Sequence, residues 1–328
     1  MSENLVHAYI PLIFWISLGL LTFKFLPQSL PKLLGRGLYW VGVPVELFTL
    51  ARKTQQSGWG GESLPIIPSV VTVVALLCGL LVALLILWVG EKIFSAKLQP
   101  DVWLNPATQG GFILAAVLGN TGFVGLTITP SFVAPDAVDW VVLYSITHSF
   151  MGPYCFGVFI ASYFSHESSS NHWWMQLRDI LTVPPLWGFT IGILTREVQF
   201  SPVIESGLQE SIHLVIPCAF LLTGIRLGKL QGWQNFQLAL IPAILKVLVM
   251  PLLVAFLTTY LLGLSGDRRL AMILMSGMPS GFAALILAEE YNLDRDLVAS
   301  SILISTLFFF ILLPLWITVF NPSLPPML

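Results

Sequence analysis

Charge is what this sequence has least of. Of its 328 residues, 10% are Asp, Glu, Lys or Arg and 56% are hydrophobic. A soluble domain carries about 25% charged residues. These charges are too few to coat a water-exposed surface, so the composition points to the bilayer as solvent. The net charge of −2, without a basic run or an aromatic-interleaved basic patch, argues against nucleic acid as a partner. Cysteine is scarce as well. Cys78, Cys155 and Cys218 each sit in an apolar run, lack the spacing of a metal site and suggest no disulfide. An H-E-x-x-H helix, a G-x-S-x-G elbow and a nucleotide loop are all missing. An enzyme, an ATP-driven pump, a cofactor and a metal site are therefore not expected.

Apolar runs of about 20 residues, the length a spanning helix needs, are abundant. They fall at 5–26, 33–51, 66–90, 108–133, 138–164, 179–196, 208–227, 236–263, 268–290 and 296–320. The expected fold is an all-α polytopic membrane protein of about ten helices in a cell membrane. Met1-Ser2-Glu3-Asn4 has no basic stretch, so 5–26 reads as a retained first span rather than a cleaved signal peptide. With the N-terminus outside, inner loops carry Lys24, Lys32, Arg36, Lys92, Lys97, Arg178, Arg226, Lys229 and Arg295. Outer loops then carry Arg52, Lys53, Arg196, Arg268 and Arg269. The bias favours both termini outside the cytoplasm.

The two halves resemble each other. Pro11, Gly19, Thr22 and Pro44 match Pro184, Gly192, Thr195 and Pro217 at a constant offset of 173. Leu81-Val82-Ala83 matches Leu253-Val254-Ala255 at 172, Gly122-Phe123 matches Gly281-Phe282 at 159, and Ser145 matches Ser305 at 160. The one large change falls where the first half has a long loop, about Glu91–Pro106, and the second only Ser265-Gly266-Asp267. Five spans per copy is an odd number, so the second copy enters the membrane inverted, a transporter signature. The expected domains are 1–164 and 179–328, joined by a short cytoplasmic loop at 165–178.

Gly and Pro interrupt the fourth and ninth spans at matching places. One core reads Leu118-Gly119-Asn120-Thr121-Gly122-Phe123-Val124-Gly125, the other Ser276-Gly277-Met278-Pro279-Ser280-Gly281-Phe282. Such breaks weaken the hydrogen-bond ladder in mid-membrane. A matched pair of breaks marks a transporter's binding site. The N–H groups that start each second half-helix carry partial positive charge, which favours an anion. Asn120, Thr121, Gly122, Pro279, Ser280 and Gly281 are therefore the candidate substrate site. The competing reading is that the glycines only let helices pack closely.

The Gly-Asn-Thr-Gly-Phe and Pro-Ser-Gly-Phe-Ala-Ala segments resemble the crossovers of the auxin efflux carrier family, within the bile acid, arsenite and riboflavin transporter superfamily. The run Leu287-Ala288-Glu289-Glu290-Tyr291-Asn292-Leu293-Asp294, then Ala299-Ser300-Ser301, resembles the same family. The resemblance implies two inverted five-helix repeats with helices four and nine crossing at the substrate. It also implies a scaffold of helices one, two, six and seven, often a homodimer, and a moving transport unit of helices three to five and eight to ten. Carboxylates are the substrates it implies. The sequence departs from the plant carriers, which pair asparagine with proline at the crossovers. Here Asn120 precedes Thr121, Pro279 lies between Met278 and Ser280, and the central loop is short. The bacterial branch is the nearer likeness, and auxin is not supported.

A charge at mid-bilayer costs about 2.5–3.5 kcal/mol on insertion scales. Lys246 lies about ten residues into the eighth span, roughly 15 Å from its end. It is expected to meet the anion or to bind the carbonyls of a broken helix. Glu46 is either a proton-coupling group or a partner of Arg52 or Lys53. His148 is either a proton relay or a hydrogen-bonded bundle histidine, and His213 has the same two readings. Glu289 and Glu290 read as interface charges. The expected function is a secondary carrier of a small organic anion, a mono- or dicarboxylate, with coupling to H+ or Na+ left open. A sodium-coupled symporter of the bile-acid type, or a receptor or channel on the same fold, is the alternative.

Overall fold

The computed structural model describes residues 2–27, 29–53, 66–94, 105–165, 184–229 and 236–320. Most of the expected loop at 165–178 lies outside them. Among the described residues the chain is helical and forms no strand, apart from one isolated antiparallel bridge. In chain order the helices are α1 (Ser2–Thr22), α2 (Leu30–Gly37), α3 (Val43–Lys53), α4 (Ile66–Phe94), α5 (Pro106–Val117), α6 (Leu126–Ile128), α7 (Val138–Ser149) and α8 (Val158–Phe164). They continue as α9 (Pro184–Leu194), α10 (Pro202–Gly228), α11 (Phe236–Ile244), α12 (Met250–Phe256), α13 (Gly266–Ser276), α14 (Phe282–Glu290) and α15 (Arg295–Val319). Wider π-type turns join some neighbours without a break, at Leu38–Gly42, Phe150–Gly157 and Leu245–Val249.

Local chemistry sets several starts. Pro106 opens α5, where its missing N–H costs nothing, and the Asn105 side chain accepts from the Ala107 N–H at 2.9 Å. The Asp294 carboxylate accepts from the Leu297 N–H at 3.0 Å and caps α15. Among the described residues, four stretches are long and apolar enough to cross a membrane: Ile66–Lys92, Pro202–Gly228, Phe236–Leu261 and Arg295–Val319. At 27 residues the first two reach about 40 Å, more than the ~30 Å hydrocarbon core. With that composition, the chain is an integral membrane protein. Helix α10 begins at Pro202, ahead of the expected 208. Its first turns carry Ser206, Gln209 and Glu210 on exposed positions, and an apolar window excludes such turns.

The chain divides into two compact units. The first holds Met1–Pro65 and Leu177–Leu230, hence α1–α3, α9 and α10. Its helices meet through glycine. Gly19 of α1 and Gly224 of α10 touch face to face, with a Cβ on either only 2.9 Å from the other's Cα. The Leu221 carbonyl lies against Gly19 and the Ile16 carbonyl against Gly224. Helices α9 and α3 cross in the same way. A Cβ on Gly192 would lie 2.7 Å from the Phe48 carbonyl and 2.8 Å from the Ala51 methyl. Small residues at a crossing are how membrane helices gain van der Waals contact when lipid offers no hydrophobic drive.

Arg52 in this unit does not meet Glu46, which corrects that expectation. Its guanidinium donates to the Thr195 carbonyl and, at 2.7 Å, to the Val198 carbonyl. It lies 3.9 Å over the Phe200 ring and 3.8 Å from Glu205. The carbonyls past the end of α9 need donors, and Arg52 supplies a fork of them. Glu46 is buried, and its Oε1 has no hydrogen-bond partner among the described residues. The Lys53 side chain lies outside the described residues.

The second unit holds Ile66–Gln176 and Gln231–Leu328, hence α4–α8 and α11–α15. Two of its helices are apolar all round at their inner ends, and such helices are buried. Every residue from Phe112 to Leu118 is buried, as is every one from Arg269 to Gly281. Both runs end at a break in mid-unit, and the candidate site lies there.

Candidate functional site

Helix α5 stops at Val117, and Leu118 turns to an extended conformation with ψ 113°. Helix α13 stops at Ser276, and the chain is extended again at Gly281, with ψ 154°. The two breaks pair with each other. Asn120 donates its N–H to the Pro279 carbonyl at 2.7 Å, and Gly281 donates to the Leu118 carbonyl at 2.8 Å. Gly119 and Ser280 face one another as an antiparallel bridge. A Cβ on Gly281 would sit 2.9 Å from the Gly119 carbonyl oxygen, so the close approach requires glycine there.

A helix that ends inside a membrane protein leaves carbonyls without partners, and most of those around the end of α5 can be followed. Leu114 accepts from the Leu118 N–H at 3.0 Å. Ala115 accepts from the Ser280 hydroxyl at 2.7 Å. Val117 accepts from the Lys246 ammonium at 3.3 Å. Leu118 accepts from Gly281. Lys246 is 3% exposed and rides on the π-type turn Leu245–Val249. The Trp316 indole N–H holds that turn by donating to the Val247 carbonyl at 3.1 Å.

The donors of the breaks are occupied in part. The Gly119 N–H is accepted by His148 Nε2 at 3.2 Å, so that ring carries its proton on Nδ1. His148 is buried and stacks with Tyr144 at a centroid distance of 6.3 Å. The Ser280 N–H donates to the Ser305 hydroxyl at 3.0 Å. The Ser145 hydroxyl is buried without a hydrogen-bond partner among the described residues. Asn120 caps the turn Thr121–Gly125: its Oδ1 accepts from the Phe123 N–H at 3.3 Å. That leaves the amide NH2 as a donor.

The predicted site residues thus fall into two groups. Asn120 and Gly122 are half-buried, and a Cβ at Gly122 would meet nothing nearer than the Ser149 hydroxyl at 4.0 Å. Thr121, Pro279, Ser280, Gly281 and Lys246 are buried. Ser280, a candidate site residue by sequence, donates its hydroxyl to the Ala115 carbonyl. Glu46 belongs to the other unit. His213 is exposed, and Glu289 and Glu290 are exposed at the end of α14. Phe123 and Phe282 are also half-buried beside the breaks. The repeat had aligned them, yet their aromatic character drew no attention because Asn and Thr carry the obvious polar chemistry. Among the described residues no group of His, Cys, Asp and Glu can hold a metal ion.

A paired break in an all-helical membrane fold is an arrangement that carriers use, and comparison with known proteins gives the family. The profile of the family described as "Membrane transport protein" matches residues 5–317, and the chain belongs to this family, that of the auxin efflux carriers. A protein of Methanocaldococcus jannaschii, described as an uncharacterized transporter, is 25% identical over 299 residues, covering 90% of this chain and 91% of its own. An uncharacterized transporter of Methanothermobacter thermautotrophicus is 25% identical over 284 residues, covering 86% and 87%. The chain is therefore a transporter by family, not an enzyme.

Proposed function

We propose that this protein is a secondary carrier of a small organic anion, a mono- or dicarboxylate, working by alternating access of two inverted five-helix repeats. The observation that carries the reading is the pairing of the two breaks. In that antiparallel pair Asn120 faces Pro279, and these two residues are separated by the repeat offset of 159. Repeat-equivalent residues facing each other is the arrangement expected where a pseudo-two-fold axis crosses the chain.

The first unit supports the same symmetry. Gly19 meets the Leu221 carbonyl, and Gly192 meets the Phe48 carbonyl. Both members of one contact convert to the other at the offset of 173. The two halves also differ at one point. Ser305 takes the Ser280 N–H, whereas the hydroxyl of its counterpart Ser145 has no hydrogen-bond partner among the described residues. A carrier whose halves exchange conformations requires such an asymmetry in any one state.

The half-buried Asn120 amide, the open Gly122 backbone and the start of the second half-helix supply the donors for a carboxylate. Phe123 and Phe282 give apolar flanks for its carbon skeleton. The second unit carries the site. The first is the scaffold and the surface of a homodimer, with both termini outside the cytoplasm. Uptake of labelled mono- and dicarboxylates into proteoliposomes tests the reading. Asn120→Ala is expected to reduce uptake at least tenfold. If no organic acid moves, or if Asn120→Ala leaves uptake unchanged, the reading fails.

A further inference from the structure

Lys246 has no carboxylate partner among the described residues, and its one hydrogen bond there is to the carbonyl that ends α5. A point marked by the missing Cβ of Gly119 lies 2.9 Å from the ammonium nitrogen and 3.5 Å from the Met278 carbonyl oxygen. The carbonyl that ends one broken helix thus meets the end of this buried side chain, and a carbonyl of the other lies close to the same point. Carbonyls of unwound backbone, and the negative end of a half-helix dipole, bind the coupling cation in carriers built on broken helices.

We infer that the Lys246 ammonium is a tethered resident cation: it occupies the position of a coupling sodium ion and makes the carrier independent of sodium. Three features support this assignment over direct contact with substrate. The ammonium is 3% exposed, while Asn120 and Gly122 are half-buried. It caps a carbonyl end, where a cation is favoured and an anion is not. Trp316 fixes the turn that carries it, so its position is set by packing and not by a ligand. Lys246 is then a positioning residue. The inference deepens the carrier reading, yet its test needs no substrate.

Wild type, Lys246→Ala and Lys246→Met are purified and melted by scanning fluorimetry in sodium chloride and in choline chloride at equal ionic strength. Wild type should melt at the same temperature in both salts. Lys246→Ala, which opens space beside the freed Val117 carbonyl, should melt at least ~2 °C higher in sodium than in choline, because an ion that binds only the folded state stabilises it by mass action. Lys246→Met, whose side chain keeps the space filled, should be less stable in both salts and gain nothing from sodium. Folding of Lys246→Ala in sodium alone also supports the inference. A sodium shift in wild type overturns it. So does a folded Lys246→Ala without a sodium shift, or failure of that variant to fold in either salt. Carboxylate uptake by the same samples is read separately. A sodium shift in Lys246→Ala with no uptake by wild type would leave the resident cation standing and remove the carrier reading.

Discussion

Gly119→Ala strikes a close contact at the crossover. The added methyl carbon would sit 2.7 Å from Lys246 Cε and 2.9 Å from its nitrogen. Carbon atoms in contact prefer about 3.5–4.0 Å, so one group must move by close to 1 Å. Gly119 is held on one side by His148 and on the other by the bridge to Ser280, so the lysine must yield. Its 3.3 Å bond to Val117 is then lost. Overpacking costs about 1–3 kcal/mol, and losing a hydrogen bond to a charged group about 1.5–3 kcal/mol. The two overlap, because displacement of the lysine relieves the clash, so the expected total is about 2–4 kcal/mol. The check is a double-mutant cycle with Lys246→Ala, read as melting temperature by scanning fluorimetry. Truncated at Cβ, residue 246 no longer reaches Gly119, and Gly119→Ala should then cost within about 0.5 kcal/mol of nothing. Additive effects of the two substitutions would refute the contact.

Ser280→Ala leaves the Ala115 carbonyl without its hydroxyl donor. It should destabilise by about 1–3 kcal/mol, seen as a lower melting temperature, and Ser280→Thr should recover part of the loss. His148→Ala leaves the Gly119 N–H unpaired at a similar cost. His148→Gln, which keeps an acceptor, should retain more of the melting temperature than Ala. Glu46→Gln should melt no lower than wild type, because no charged partner among the described residues is lost. A large fall would show a cation bound to Glu46. Each of these is checked on purified protein in one detergent.

Much of the fold was legible because lipid imposes one strong rule: backbone groups must be satisfied within a helix. Long apolar runs such as Ile66–Lys92 therefore read directly. The breaks were legible because Gly and Pro at 119, 122, 277, 279 and 281 damage a helix wherever they stand. The bonding of those breaks was not. Whether Ser280 offers its hydroxyl to a ligand or to Ala115 depends on a partner 165 positions away. Lys246 was legible as an anomaly, since a charge inside a span needs a reason, and binding a broken helix was one of its two readings. Arg52 was misread as a partner of Glu46 because it is close in sequence. The carbonyls of Thr195 and Val198, invisible in a string of letters, take its guanidinium instead.

The bonds at the crossover tie the first half of the chain to the second. The Leu118 carbonyl and the Asn120 N–H find their partners in Gly281 and Pro279. The glycine crossings of α1 with α10 and of α3 with α9 also join one half to the other. Each half is therefore the other's solvent. Expressed alone, either would expose cut helix ends to hydrocarbon, at several kcal/mol for each unsatisfied group. Divided between residues 166 and 183 and made together, the two halves should reassemble as an obligate pair, with a fold recorded in their mutual contacts and not in the continuity of the chain.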